Sequence, residues 1–214
     1  SEMCIRDRPG QGPFGNVISG NSFLVAEFRK PEFEVTVSTG KASYVNGDAI
    51  DVSVEAEFYF GGALAGAPIE WTALSNPWSM RVKGFERFSF SDYDYWKQAV
   101  YKQPVRSTGT AITGVDGVAS YSVAAVLATS EGAQQFTLSA TVTDQNAQAV
   151  ASSTTVTVHP AEFYAGIRPT EYVGLKGRES TVNLVTVDTD GKILPNRPVV
   201  VRVYEREWIT TKTQ

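Results

Sequence analysis

The chain has 214 residues, 42% hydrophobic and 20% charged, with a net charge of −4 from 23 acidic and 19 basic side chains, enough for one large or two small domains with a buried core. Weak acidity without a basic block excludes a nucleic-acid binder, which needs clustered Lys and Arg, and no apolar run approaches the roughly 18 residues of a membrane helix. One cysteine, Cys4, and one histidine, His159, exclude an internal disulfide and a Cys/His zinc site, which takes about four ligands at close spacing.

The N-terminal stretch Ser1-Glu2-Met3-Cys4-Ile5-Arg6-Asp7-Arg8 has no apolar core and no small-residue cleavage site, so it is not a signal peptide. It reads as a translated adapter and is set aside, with Cys4; residues 1–21 are non-native sequence or linker. Both ends read as truncations. Ser22 to Phe28 reads as a strand, and residues 22–31 as the last strand of a preceding domain.

Phe33-Glu34-Val35-Thr36-Val37 alternates apolar and polar residues, the period of a half-buried strand. Asn46-Gly47-Asp48 signals a turn, Ile50 to Phe58 alternates again, Gly61-Gly62 reverses the chain, and Pro68-Ile69-Glu70-Trp71 opens the next strand. Residues 76–109 break the pattern and read as a long insertion with its own hairpin or short helix. Trp78, Phe85, Phe88, Phe90, Tyr93, Tyr95 and Trp96 cluster there. Asp116-Gly117 predicts a tight hairpin between Thr110–Ile112 and Ala119–Val123. Phe136 to Val142 and Ala151 to Val158 alternate, and Val199 to Tyr204 reads as a further strand. Short strands with turn signals every 8 to 12 residues predict an all-β sandwich architecture.

The chain also repeats itself. Tyr44-Val45 with Gly47 matches Tyr172-Val173 with Gly177, and the run Gly62 to Pro68 matches Gly191 to Pro198, at offsets of 128 and 130 positions for Tyr44 and Pro68. Alternating strands lie between the anchors, Ile50 to Phe58 and Thr181 to Val187. The repeat implies two domains of one type, 32–160 and 161–214. A full seven-stranded sandwich takes about 100 residues, so the second holds only its N-terminal half.

Three segments carry a resemblance to a known family: Phe28-Arg29-Lys30-Pro31-Glu32-Phe33-Glu34-Val35, Tyr44-Val45-Asn46-Gly47-Asp48, and Tyr59-Phe60-Gly61-Gly62-Ala63-Leu64-Ala65-Gly66-Ala67-Pro68. With Ser91-Asp92-Tyr93-Asp94-Tyr95-Trp96 in the insertion and Ala161 to Arg168 at the second domain's start, they resemble the bacterial branch of the alpha-2-macroglobulin family. The resemblance implies tandem immunoglobulin-like macroglobulin domains, similar to the third and fourth, in a large inhibitor that traps a protease after it cleaves a bait segment. It also implies a periplasmic or envelope location, a lipid anchor through the missing N-terminus, and two kinds of partner: neighbouring macroglobulin domains and, through the parent, target proteases. Cys4 is followed by Ile5-Arg6-Asp7, not by the Cys-x-x-Gln of the family's thioester, so no thioester and no bait are assigned here.

The residues suggest no chemistry of their own. Asp92 and Asp94 alternate with aromatics and do not make the six or more oxygen ligands of a calcium site. Asp188-Thr189-Asp190-Gly191 reads as a turn. His159 reads as an ordinary strand-end residue and has no visible acid to orient it as a catalytic base. No cofactor, metal or enzymatic activity is expected. The aromatic cluster is the one candidate interaction surface, and the expectation is that it packs the insertion against its own sandwich or a neighbouring domain. The rival reading is a tandem immunoglobulin-like adhesin or carbohydrate-binding protein.

Overall fold

The structure is a computed structural model that describes residues 31–91, 105–128, 132–171, 173–175 and 177–204. The readings placed on residues 1–30 and 205–214, and those on Asp92, Tyr93, Asp94, Tyr95, Trp96 and Tyr172, lie outside these residues.

Among the described residues ten strands follow in order: β1 (Phe33–Thr39), β2 (Ser43–Val45), β3 (Ala49–Phe58), β4 (Pro68–Pro77), β5 (Val105–Ile112), β6 (Val118–Ala124), β7 (Gln134–Thr143), β8 (Ala149–His159), β9 (Phe163–Pro169) and β10 (Val182–Asp188). No helix occurs among the described residues. A three-stranded sheet, β1-β3-β6, faces a five-stranded sheet, β2-β8-β7-β4-β5. All neighbours are antiparallel except β2, which pairs parallel to β8. This is an immunoglobulin-like sandwich.

Period-two patterning builds the core. Along β1, Phe33, Val35 and Val37 point inward between exposed neighbours. Ile50, Val52, Val54 and Ala56 do the same on β3, and Phe136, Leu138, Ala140 and Val142 answer from β7. Each large side chain so buried is worth about 1.5–3 kcal/mol against leaving it in water. Trp71 of β4 stacks on Tyr121 of β6, centroids 4.4 Å apart and planes within 8°. The pair bridges one sheet to the other, and burial pushes the Tyr121 hydroxyl up to about 12.

The predicted hairpin at Asp116-Gly117 is instead an arch between sheets. The turn is tight, with the Gly114 amide donating to the Val118 carbonyl at 2.8 Å. Yet β5 pairs with β4, and β6 pairs with β3. The reason lies in Thr113, which is buried. Its amide donates to the Ala67 carbonyl and its carbonyl accepts from the Gly66 amide, both at 3.0 Å. Its hydroxyl accepts from the Ala67 amide at 2.8 Å and donates to the Leu64 carbonyl at 2.6 Å. Thr113 thus ties the end of β5 to the loop before β4, and the chain crosses the core before pairing again.

β9 and β10 form a separate two-stranded sheet. Its ladder repeats that of β1 and β3 at a shift of 130 positions: Phe33 opposite Phe58 becomes Phe163 opposite Asp188, and Thr39 opposite Val52 becomes Pro169 opposite Val182. The turns repeat too. The Leu64 amide donates to Ala56 and the Leu194 amide to Thr186, each at 2.9 Å. Gly61 (φ +89) and Gly191 (φ +83) occupy the same left-handed position, one that glycine takes at little cost. Gly191 therefore matches Gly61, one place from the sequence alignment with Gly62. Val199 to Tyr204, expected as a strand, forms no ladder and is exposed. A strand exists only against a neighbour, and no described strand pairs with it.

Thr113→Val should keep the side-chain volume but orphan the Ala67 amide and the Leu64 carbonyl. We expect a loss of about 1–3 kcal/mol, read as a lower midpoint in urea unfolding with an unchanged slope.

Candidate functional site

The segment from Trp78 to Ser91 is neither a hairpin nor a helix. It is a strap that leaves the sandwich at the end of β4 and crosses to the second sheet. β4 runs to Pro77 and β5 starts at Val105, so the connection is shorter at both ends than the sequence suggested. At its root the Trp78 amide donates to the Ala133 carbonyl at 2.9 Å. Two turns follow, with the Phe85 amide donating to Val82 and the Phe88 amide to Phe85. Glu86 caps the first by accepting from the Gly84 amide at 2.8 Å. That bond holds its carboxyl below the usual range.

At its far end the strap pairs with β9. The Ser89 amide donates to the Ile167 carbonyl, and the Ile167 amide donates back to Ser89, both at 2.9 Å. This is one antiparallel bridge in the sense of a sheet ladder. Beside it, Phe90 lies on Gly166, so closely that an added β-carbon would overlap the ring. Gly166 is a glycine in a strand interior, which marks such close approach. Arg168 lies over the Phe88 ring, 5.2 Å from its centroid. Met80, Val82 and Phe90 bury themselves with Ala133, Tyr164 and Val187, making a second hydrophobic cluster separate from the sandwich core.

The candidate surface residues therefore divide. Phe90 is buried; Trp78, Phe85 and Phe88 are half-buried and pack against the second cluster. Phe85 and Phe88 meet edge to face at 5.4 Å. Tyr93, Tyr95 and Trp96 lie outside the described residues. A cavity of about 350 Å³ opens along the strap, lined by apolar side chains with Ser79, Arg81, Glu86 and Ser91. Among the described residues that line it there is no histidine or cysteine.

Sequence reasoning missed the residues at the centre of the joint. His159, at the end of β8, is 3% exposed. Its Nδ1 shares a 2.6 Å hydrogen bond with the Tyr164 hydroxyl, and the Trp78 ring stands edge-on to the imidazole at 5.5 Å. Burial lowers the affinity of His159 for a proton, against a smaller pull from Asp190, and raises that of the Tyr164 phenolate. The one signal in the sequence was position: a His-Pro step between two strands leaves few residues to form the joint. Asp188 accepts from the amides of Asp190 and Lys192 at 3.0 and 2.8 Å. Its carboxylate is thus used by the turn, and no group of three or more acidic, Cys or His residues able to hold a metal occurs among the described residues.

The fold defines an all-β macroglobulin-type sandwich joined by an aromatic strap to a second sheet. Residues 32–160 match the model of the bacterial alpha-2-macroglobulin MG5 domain. That is more than half of the chain, and the chain belongs to the bacterial alpha-2-macroglobulin family. The ordinal differs from the resemblance drawn above, which placed these residues near the third and fourth domains. The chain is 24% identical over 191 residues to an alpha-2-macroglobulin homolog of Nostoc sp., covering 88% of this chain and 10% of that protein. Among solved structures it resembles Salmonella alpha-2-macroglobulin reacted with methylamine, with TM-score 0.57, 14% identity, and coverage of 78% of this chain and 12% of that one. It likewise resembles the native conformation of E. coli alpha-2-macroglobulin, with TM-score 0.57, 16% identity, and coverage of 82% and 12%. At these identities the structural likeness concerns the fold. The chain spans 10% of the length of the curated relative it matches.

Gly166→Ala should drive a methyl into the Phe90 ring and cost about 1–3 kcal/mol of overpacking. We expect faster hydrogen exchange at the Ser89 and Ile167 amides with β3 and β7 unchanged, and partial recovery when Phe90→Leu is added.

Proposed function

We propose that this chain is a structural scaffold segment of a macroglobulin-type endopeptidase inhibitor, which traps proteases after bait cleavage, and has no enzymatic activity of its own. The observation that carries the reading is the strap. Its aromatic side chains are spent on joining two sheets of the same chain, and contacts of this kind transmit force between modules instead of gripping a small substrate. A glycan platform would present flat rings to solvent, whereas Phe90 is buried and Trp78, Phe85 and Phe88 pack inward.

In this reading, residues 32–160 are one macroglobulin module and residues 161–214 are the N-terminal half of the next. The repeated ladder supports it. Ile167, Val182 and Leu184 stand at the positions of Val37, Val52 and Val54, yet they are 42%, 46% and 45% exposed. They form the inner face of a sheet awaiting its opposite layer. The partners of this segment are then the neighbouring macroglobulin modules and, through the parent, target proteases. The setting is the bacterial periplasm or cell envelope, supported by the bacterial relatives, with a lipid anchor in the parent.

The test uses the full-length protein that contains these residues, treated with a panel of proteases. The expected outcome is one limited cleavage, compaction in small-angle scattering, and protease retained on native gels. Unselective cleavage with nothing retained would end the inhibitor reading.

A further inference from the structure

Beyond its scaffold role, the joint holds the chain's one imidazole in an enclosed place. His159 is the only histidine of the chain, and it sits where β8 passes through Pro160 into β9. Three elements meet on it: its own strand, the root of the strap through Trp78, and β9 through the Tyr164 hydroxyl. Its carbonyl accepts from the Asn46 amide at 2.8 Å, so the backbone is fixed to the sandwich while the ring reaches the second sheet.

A neutral imidazole needs one donor and one acceptor role satisfied, and Tyr164 serves Nδ1 in either tautomer. A charged imidazole must donate from both nitrogens. Nδ1–H can still point at the Tyr164 oxygen, but the positive charge then sits on a residue that is 3% exposed, between the edge-on rings of Trp78 and Tyr164. The charges that could compensate lie on the surrounding elements. Asp190, after β10, is the one felt at the ring, and its carboxylate is already paired with Lys192 at 3.5 Å in solvent. Asp48, after β2, accepts from the Val45 amide at 2.9 Å. Glu162 on the linker is exposed, as are Arg81, Lys83, Glu86 and Arg87 on the strap, where cations outnumber acids. Of these carboxylates Asp190 favours the charged ring, and its pull is smaller than the cost of burial.

The geometry points to His159 as a pH-sensitive latch: protonation breaks the contact between the sandwich and the β9–β10 sheet and frees the angle between them. The sign follows from linkage. Burial lowers the proton affinity of the closed joint, so the open form takes up the proton first. The latch is fully closed above the ordinary imidazole value near 6.5, weakens as pH falls below it, and stops weakening below the lowered value of the closed form. One proton of difference makes that loss about ten-fold per pH unit within this window. The hydrophobic core cluster of the sandwich holds no histidine, so this proton is not taken up within it.

A single histidine gives a single imidazole signal, and this makes the test direct. The whole chain is titrated by NMR from pH 7.5 to 4.5 while hydrogen exchange, corrected for its intrinsic pH dependence, is followed at Ser89, Ile167 and the β3 and β7 amides. We expect His159 to titrate below 6.5. Protection at Ser89 and Ile167 should fall about ten-fold per unit between 6.5 and the observed value, while β3 and β7 hold. In His159→Gln, which cannot titrate, protection at the joint should be flat with pH; His159→Phe serves the same purpose if the Gln variant does not fold. Titration at the ordinary value, joint protection that follows the core, or the same pH dependence in the untitratable variant would each overturn the latch.

Discussion

The structure depends on the close approach of two β-sheets whose inward side chains come from every second residue. Phe33, Ile50, Val52, Val54, Phe136, Leu138 and Val142 fill the space between the layers and are almost wholly removed from water. A one-residue slip in any of these strands would turn its apolar set outward. That cost fixes the registers, and the registers fix where each strand ends. β4 therefore releases the chain at Pro77 and β8 releases it at His159. Both exits lie at the same end of the five-stranded sheet, since β7 pairs Gln134 with Pro77 on one side and with Val158 on the other. The strap and the linker to β9 leave as neighbours, and the joint forms from what they carry.

The joint uses a different kind of contact from the core. The sandwich is held by broad aliphatic burial, which tolerates exchange of similar volumes. The joint rests on a few directional features: the reciprocal Ser89–Ile167 hydrogen bonds, a ring lying on Gly166, and one short bond between His159 and Tyr164. Contacts of this sort specify an angle more than they supply stability. In the scaffold reading proposed above that property matters, because the position of a distant element is the sum of the angles between modules.

The repeat at 130 positions shows how one ladder is used in two settings. In the first copy the inner face of β1 and β3 is covered by β7 and β8, and the same positions of β9 and β10 remain open to solvent. The turn that ends β3 carries Tyr59 and Phe60, both exposed, whereas the turn that ends β10 carries Asp188 and Asp190 and lies near Met80 and Val82 through Gly191. The backbone geometry is retained while the side chains differ with what each turn meets.

Alternation in Phe33–Val37, Ile50–Phe58 and Phe136–Val142 was enough to give the all-β class, the core faces and the turns at Asn46-Gly47 and Gly61-Gly62. These are local properties: side-chain period and backbone conformation are written in consecutive residues. The repeat was visible for the same reason, although its true register needed the ladders, since a loop can absorb one residue without trace in the sequence. What only the tertiary structure decided was pairing. Asp116-Gly117 makes the same tight turn in a hairpin or an arch, and the bonds of Thr113 to residues 64–67 chose the arch. The aromatic run at 78–91 had no period, so its strands and partners could not be read from it. Its fate depended on Gly166, 76 residues beyond Phe90 in the chain and in contact with it in space. His159 looked like the end of a strand because its two partners, Trp78 and Tyr164, come from opposite sides of a joint that exists only once the sheets have packed.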